Sequence, residues 1–191
     1  MAPSLVFAVH LGAGHHPKAT RKHLLGLAKS ACITGSSFPF EENIEKDAFL
    51  LSRCAAAIAQ LEDSPLSNAG TGSNLTWNET VECDAGLMCS ESGLFGGVGA
   101  LSGVKNPIIL AERLLRNQRD SCAVQNRLVP PMILVGEGAK IFARTQRVDL
   151  MKPYDQITEQ SLSDYRNALE KVQGRFGTGG SLGLKSRLDT V

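Results

Sequence analysis

The residue pair with the clearest chemical potential in this chain is Asp189-Thr190. A threonine hydroxyl is a weak nucleophile until a base accepts its proton. A free α-amino group, with a pKa of about 7.7 to 8.0, is such a base, whereas a peptide nitrogen is not. Cleavage of the bond before Thr190 would therefore expose a nucleophile and create its base in one step. Short motifs often occur by chance, so this dipeptide alone does not establish the chemistry.

Two glycine-containing segments are the other candidates for a site. Gly12 lies in the turn Gly12-Ala-Gly14, where a missing side chain permits close approach of a backbone or a ligand. Asn68 opens a polar loop that contains Gly70 and Gly72, and an asparagine amide can donate to a developing oxyanion. The alternatives are an ordinary turn at Gly12 and an Asx-type turn at Asn68.

Other motifs are interpreted as structural. His10 ends an apolar run, where a histidine is usually structural. The segment Gly177-Thr-Gly-Gly-Ser-Leu-Gly183 has no strand before it and no helix after it, so we interpret it as linker rather than a dinucleotide loop. The five cysteines include no Cys-x-x-Cys pair, which argues against zinc. We expect neither a metal nor a cofactor.

The composition excludes several classes of protein. Lys plus Arg number 20 and Asp plus Glu 19, so the net charge of +1 gives no basis for binding nucleic acid or an anionic membrane. No apolar run is long enough to span a bilayer, and the first residues lack the basic region of an export signal. We expect a cytoplasmic or nuclear protein with reduced cysteines.

Hydrophobic periodicity predicts a layered α+β domain. We predict a core over residues 1–148, a variable helix and flexible linker over 149–188, and a junction at 189–191. Helices are predicted over residues 17–32, 41–61, 106–117, 136–146 and 157–172, and strands over residues 5–10, 80–88, 94–101 and 132–135.

Seven segments in a fixed order resemble the type 2 asparaginase superfamily of N-terminal-nucleophile hydrolases and, within it, the threonine aspartases. The resemblance covers most of residues 5–143 and fades between 144 and 187. The segments are VHLGAG (9–14), LEDSP (61–65), NAGTGSNL (68–75), VECDA (81–85), VGALSGVKNP (98–107), PPMILVGEGA (130–139) and LDTV (188–191).

The resemblance implies a four-layer αββα sandwich in which this chain is the α-subunit half, incomplete without a β part. It implies self-cleavage between Asp189 and Thr190, with Thr190 as the nucleophile. It places Gly12 against the scissile bond, and it makes the loop that starts at Asn68 the segment that positions the scissile residue. Its implied partner is its own β-subunit, and pairing of two αβ units into a heterotetramer is left open.

Asp189 bears on the choice between two activities. Asparaginases of this type resemble one another in carrying Gly before the nucleophilic Thr, whereas this chain carries Asp. Recognition of that carboxylate would also serve cleavage after Asp in protein substrates. We therefore predict a threonine-type endopeptidase precursor. The alternatives are an L-asparaginase or isoaspartyl dipeptidase, and an inactive truncated fragment or isoform, because the chain alone lacks the substrate-clamping β part.

Overall fold

The fold is a mixed α+β arrangement, as the sequence predicted. The computed structural model describes residues 5–12, 16–39, 46–120 and 128–176. In chain order, the described elements are α1 (Lys18–Ser36), α2 (Lys46–Glu62), β1 (Cys83–Met88), β2 (Phe95–Leu101), α3 (Pro107–Asp120), β3 (Ile133–Val135), α4 (Gly136–Thr145), a 3-10 helix (Pro153–Gln156) and α5 (Glu159–Phe176).

The sheet is built around β2. Strand β1 pairs with it antiparallel on one side, and β3 pairs with it parallel on the other. The turn between β1 and β2 is closed by the Cys89 N–H, which donates to the Leu94 carbonyl at 3.0 Å. A bulge interrupts β1 at Asp84, whose carboxylate accepts a hydrogen bond from the Ala100 N–H at 2.8 Å. This bond holds the two strands together where the regular ladder is broken.

One face of the sheet is covered by helices. Successive side chains of a strand point to opposite faces, so Leu87, Val98 and Leu134 share a face. Helix α3 packs on β1 and β2, α4 packs on β2 and β3, and α2 packs on α3. The fully buried side chains of this core include Ala55, Leu101, Val104, Ile108, Leu110, Ala111, Leu114, Leu115, Ala139 and Ala143.

The opposite face of the sheet is exposed and largely apolar. Met88 is 67% exposed, and Ile133 and Val135 are each 59% exposed. Between them, glycines at positions 86, 97 and 99 leave a shallow cavity of about 330 Å³ next to Asp84 and Phe95. A sheet face of this composition is suited to covering by a second layer.

Most predicted elements are confirmed, with shifted ends. Helix α1 runs four residues beyond the predicted end at 32, and the predicted start of α2, residues 41–45, lies outside the described residues. Periodicity correctly predicted the positions of five further elements: β1, β2, β3, α3 and α4. Helix α5 runs four residues beyond the predicted end at 172, and the part of the predicted linker after Phe176 lies outside the described residues.

The predicted strand over residues 5–10 is wrong. Residues 5–12 belong to no strand among the described residues. Phe7, Val9 and Leu11 instead pack on a small cluster formed by α1 and α2. A strand requires a hydrogen-bonded neighbour, and an apolar run in the sequence shows only that side chains are buried, not what they are buried against.

Residues after position 148 contribute to the interior. The Lys105 N–H donates to the Asp149 carbonyl at 3.0 Å, and Val104 forms a bridge with Leu150. The 3-10 helix ends at Gln156, which is fully buried. The division into domains at 148 stays a prediction, but residues 149–156 are hydrogen-bonded to the segment between β2 and α3.

Candidate functional site

The end of α2 shapes the loop singled out in the sequence, which we call the site loop, residues 68–72. The Glu62 carbonyl accepts a hydrogen bond from the Thr71 N–H at 2.8 Å. A Cβ atom added to Gly70 would lie 2.4 Å from that same carbonyl oxygen. Only glycine allows the loop to approach the helix end this closely.

The other side of the site loop is held by Gln156. The Gly72 N–H donates to the Gln156 carbonyl at 2.7 Å, and Gly72 has a φ of +77°, a left-handed conformation that favours glycine. The Gln156 side chain accepts from the Gly103 N–H at 3.2 Å and donates to the Val104 carbonyl at 3.3 Å. The site loop is therefore fixed between α2 and the 3-10 helix.

Asn68 is exposed at the start of the site loop. Its Oδ1 accepts a hydrogen bond from the Asn74 N–H at 2.8 Å. This bond reaches six residues along the chain and closes the loop, whereas the Asx-type turn of the alternative interpretation would bond two residues on. It also leaves the Nδ2 group as the part of the amide that can donate to an oxyanion. The catalytic role of Asn68, like those of Gly70 and Gly72, stays a prediction.

The carboxyl group of Glu62 is buried beneath the site loop. Its Oε1 accepts a hydrogen bond from the Ile108 N–H in the first turn of α3 at 2.9 Å, and its Oε2 has no hydrogen-bond partner among the described residues. Burial raises the pKa of Glu62 to about 8 against the opposing influence of the Ile108 N–H and the nearby Asn106 amide, and the charge of Asp63 adds to the rise. At neutral pH this carboxyl group is mainly protonated.

A second buried acid lies close to Glu62. Burial, followed by the charges of Glu62 and Asp84, raises the pKa of the Cys83 thiol to about 11. A thiol held this firmly in its protonated form is not a nucleophile at neutral pH. Cys83 is therefore a packing residue of β1.

Gly12 has a left-handed backbone conformation, which favours glycine. Its φ is +50°, and a Cβ atom there would lie 3.3 Å from the His16 imidazole. Leu11, one residue earlier, packs on the cluster formed by α1 and α2. The predicted position of Gly12 against a scissile bond remains a prediction.

A cavity of about 480 Å³ lies beside Gly12, between residues 9–11 and α1. His10, His16 and Arg21 supply the polar part of its lining, and apolar side chains supply the rest. These three side chains can all donate hydrogen bonds to an anionic group. His10, interpreted from the sequence as structural, is exposed at this cavity.

The segment that leads to Gly12 and the helix that leads to the site loop share one packing cluster. Val9 and Leu11 pack against the cluster that Ala31 of α1 forms with Ala57 and Leu61 of α2, and Leu61 directly precedes Glu62. The C-terminal end of α2 therefore positions both of the glycine-containing segments that the sequence singled out.

Asp189 and Thr190 lie outside the described residues. Their roles as scissile-bond residue and nucleophile stay predictions. Sequence reasoning did not single out Glu62 and Gln156, the two residues that hold the site loop. Glu62 stood in the quoted LEDSP motif, where an acid at the end of an apolar helix was a usable signal, whereas Gln156 carried no signal in the sequence.

Neither a metal cluster nor a membrane-spanning helix is found in the described parts of the chain. Within those ranges no three His, Cys, Asp or Glu side chains are grouped to hold a metal ion. The same residues contain no helix that is both long and apolar enough to cross a bilayer.

Comparison with known sequences identifies a family that this chain matches. A sequence profile of the asparaginase family (Asparaginase_2) matches residues 4–178. A plant-type L-asparaginase from Pyrococcus horikoshii is 36% identical over 166 residues, which cover 86% of this chain and 48% of the relative. An isoaspartyl peptidase/L-asparaginase from Danio rerio is 29% identical over 187 residues, which cover 94% of this chain and 55% of the relative.

An isoaspartyl peptidase from Escherichia coli is 27% identical over 192 residues, which cover 94% of this chain and 56% of the relative. This chain thus spans about half the length of the curated relatives that it matches. The comparisons confirm the wider asparaginase family that the seven segments indicated. None of these relatives is named as a threonine aspartase, so the narrower assignment stays a prediction.

Proposed function

Because this chain belongs to the asparaginase family, we propose that it is the α part of a threonine-nucleophile hydrolase that cleaves an amide bond of an aspartyl or asparaginyl group. The observation that carries the proposal is the family match over residues 4–178, which includes both glycine-containing segments. The names of the relatives favour an L-asparaginase or isoaspartyl peptidase as the first candidate.

The proposed chemistry begins with self-cleavage. The Thr190 Oγ attacks the Asp189 carbonyl carbon, the peptide C–N bond breaks, and an ester forms while the Thr190 α-amino group is released. Water then hydrolyses the ester, which leaves a carboxylate on Asp189 and a free hydroxyl on Thr190. In turnover the α-amino group accepts the hydroxyl proton as Oγ attacks the substrate amide carbon, and it gives a proton to the amine or ammonia that departs, which leaves an ester on Thr190. Water then hydrolyses this ester, which releases the product as a carboxylic acid and restores the Thr190 hydroxyl.

The described residues have defined tasks in this scheme. Gly12 lets the scissile segment approach without a side chain in the way. The Asn68 Nδ2 group donates to the oxyanion, and the bonds of Thr71 and Gly72 keep the site loop fixed. Preorganised donors of this kind are worth about 2.7 to 4 kcal/mol in the transition state.

A threonine endopeptidase that cleaves proteins after Asp is the second candidate. The observation that favours it is Asp189, which stands where the asparaginases resembled by this chain carry Gly. An enzyme that recognises the Asp189 carboxylate during self-cleavage has the means to recognise aspartate in other proteins.

The β part of the longer protein is the proposed partner, and αβ units pairing into a heterotetramer are proposed with it. The exposed apolar face of the sheet, with Met88, Ile133 and Val135, supports the first of these proposals. The described residues leave that face uncovered, which agrees with a chain about half as long as its relatives.

Self-cleavage is tested by intact-mass spectrometry of the full-length protein. We expect a break between Asp189 and Thr190 in the wild type and in Thr190→Ser, which keeps a hydroxyl, but none in Thr190→Ala. An uncut wild type that still hydrolyses substrates would overturn the proposal.

The two candidates are separated with the cleaved protein and three substrates. Ammonia from L-asparagine, or aspartate from a β-aspartyl dipeptide, supports the first candidate, and cleavage of an Asp-containing peptide supports the second. The variant Asp189→Gly adds an independent test. The first candidate predicts that this variant still cleaves itself, whereas the second predicts a large loss because the recognised carboxylate is gone.

A further inference from the structure

Glu62 makes two structural connections from a single residue. Its backbone carbonyl holds the Thr71 N–H of the site loop at 2.8 Å, and its side chain holds the Ile108 N–H at the start of α3 at 2.9 Å. Gly70 lies against the same carbonyl with no room even for a Cβ atom. Glu62 therefore fixes one side of the site loop, at Thr71, while the Gln156 carbonyl holds the other side at Gly72.

The surroundings of the Glu62 carboxyl group favour its neutral, protonated form. The residue is 2% exposed, and Oε2 has no partner among the described residues. The groups that face it are Asp63 on α2, the Cys83 thiol on β1 and the Asn106 amide before α3. None of these is a cation, and Lys105, at 3.9 Å, pairs with Asp63.

We propose that Glu62 is a positioning residue, whose protonated carboxyl group fixes the site loop and whose ionisation releases it. A buried carboxylate with one unpartnered oxygen is costly, so on ionisation the end of α2 moves to admit water. The site loop moves with it, because Thr71 is bonded to the Glu62 carbonyl. The burial that raises the pKa of Glu62 to about 8 places this event at mildly alkaline pH.

The consequence for the site is an alkaline limit on activity. The inference rests on the proposed function, because Asn68 and the site loop are assigned their catalytic role there. Ionisation of Glu62 removes a preorganised oxyanion donor without touching the nucleophile, so kcat falls while KM changes little.

Hydrogen exchange of the full-length protein tests the proposal without any substrate. Amide exchange in a peptide covering the site loop is measured at pH 7 and pH 9 and corrected for the intrinsic effect of pH. We expect loop protection in the wild type to fall by about tenfold, since a group with a pKa of about 8 is about nine-tenths ionised at pH 9. Glu62→Gln, which keeps the acceptor for Ile108 but cannot ionise, should keep its protection within about twofold.

Asp63→Asn is the matched control. Asp63 is the neighbouring carboxylate, but it is exposed and bonds to Asn106 rather than to the loop. This variant should still lose loop protection between pH 7 and pH 9, with its midpoint at a lower pH than in the wild type, because the Asp63 charge contributes to the raised pKa of Glu62. Wild-type protection that is unchanged between the two pH values, or an equal loss in Glu62→Gln, would overturn the proposal.

Activity provides the second readout. We expect kcat of Glu62→Gln to match the wild type at pH 7 and to exceed it by about tenfold at pH 9. If no substrate is hydrolysed at any pH, the proposed function fails while the exchange result still decides the role of Glu62. If both proteins lose kcat in parallel at pH 9, the positioning role is refuted and the proposed function is not.

Discussion

The buried carboxyl group of Glu62 gives the stability of this protein a pH dependence of definite sign. The pKa is raised from 4.5 to about 8 on folding, mainly by burial. Between those values the folded state binds one more proton than the unfolded state, so the free energy of unfolding falls as pH rises. The contribution is complete below about pH 4.5 and is lost by about pH 8.

Urea unfolding of wild type and Glu62→Gln across this range measures the effect. From pH 5 to pH 8 we expect the free energy of unfolding of the wild type to fall, relative to that of Glu62→Gln, by roughly 1 kcal/mol per pH unit. Above about pH 9, where Glu62 is ionised in both the folded and the unfolded state, the difference should be constant. Parallel curves over the whole range would show that Glu62 has an ordinary pKa.

Gly70 supports a separate prediction about the site loop. In Gly70→Ala the new methyl group meets the Glu62 carbonyl at 2.4 Å, and backbone cannot move aside as a flexible side chain can. We expect a loss of about 1 to 3 kcal/mol of stability. Gly26→Ala is the control, since no atom lies within 4 Å of a Cβ atom there and the position is inside α1. It should gain up to about 1 kcal/mol. Equal effects in thermal unfolding would contradict this interpretation.

At the scale of elements, hydrophobic periodicity predicted the helices whose positions depend on nearby residues in the sequence. Helix α2 has an apolar stripe at spacings of three and four, and the Asn106-Pro107 pair marks the start of α3, so both were predictable. The irregular conformation of residues 5–10 was not predictable, because their apolar side chains pack on helices rather than within a sheet. Nor was the role of Gln156, since a bond between residues 103 and 156 leaves no trace in the local pattern.

An ion pair within α3 is hydrogen-bonded to α2 through the Ser52 hydroxyl. Arg116 donates to Glu112 Oε1 at 2.8 Å and to the Ser52 hydroxyl of α2 at 2.6 Å, and Glu112 is 7% exposed. Arg116→Met leaves Glu112 buried without its cation. We expect a loss of about 3 kcal/mol, at the low end for buried pairs because Arg116 is partly exposed.

The double variant Arg116→Met with Glu112→Met completes the cycle. Removing both charges should cost less than the sum of the two single changes, because no uncompensated charge remains. Urea unfolding of the four proteins measures the coupling. Strictly additive losses would mean that Arg116 and Glu112 do not stabilise each other.

At the scale of the whole molecule, the two faces of the sheet have opposite environments. The face with Leu87 and Val98 is buried under helices, and the face with Met88 and Ile133 is exposed. In the sequence, the glycines of β2 and the uniformly apolar β3 do not distinguish the two faces, and the described residues leave the second face exposed.

If the β part covers the exposed face, a charge placed there will disrupt the assembly. In Ile133→Asp a carboxylate would be buried between the layers, so we expect the two parts of the cleaved full-length protein to separate in size-exclusion chromatography. Ile33→Asp is the matched control, because Ile33 is 63% exposed on α1, which packs on α2. That variant should co-elute with its β part as the wild type does. Co-elution of both variants would show that the face around Ile133 stays open to solvent, and the partner would then have to bind another surface.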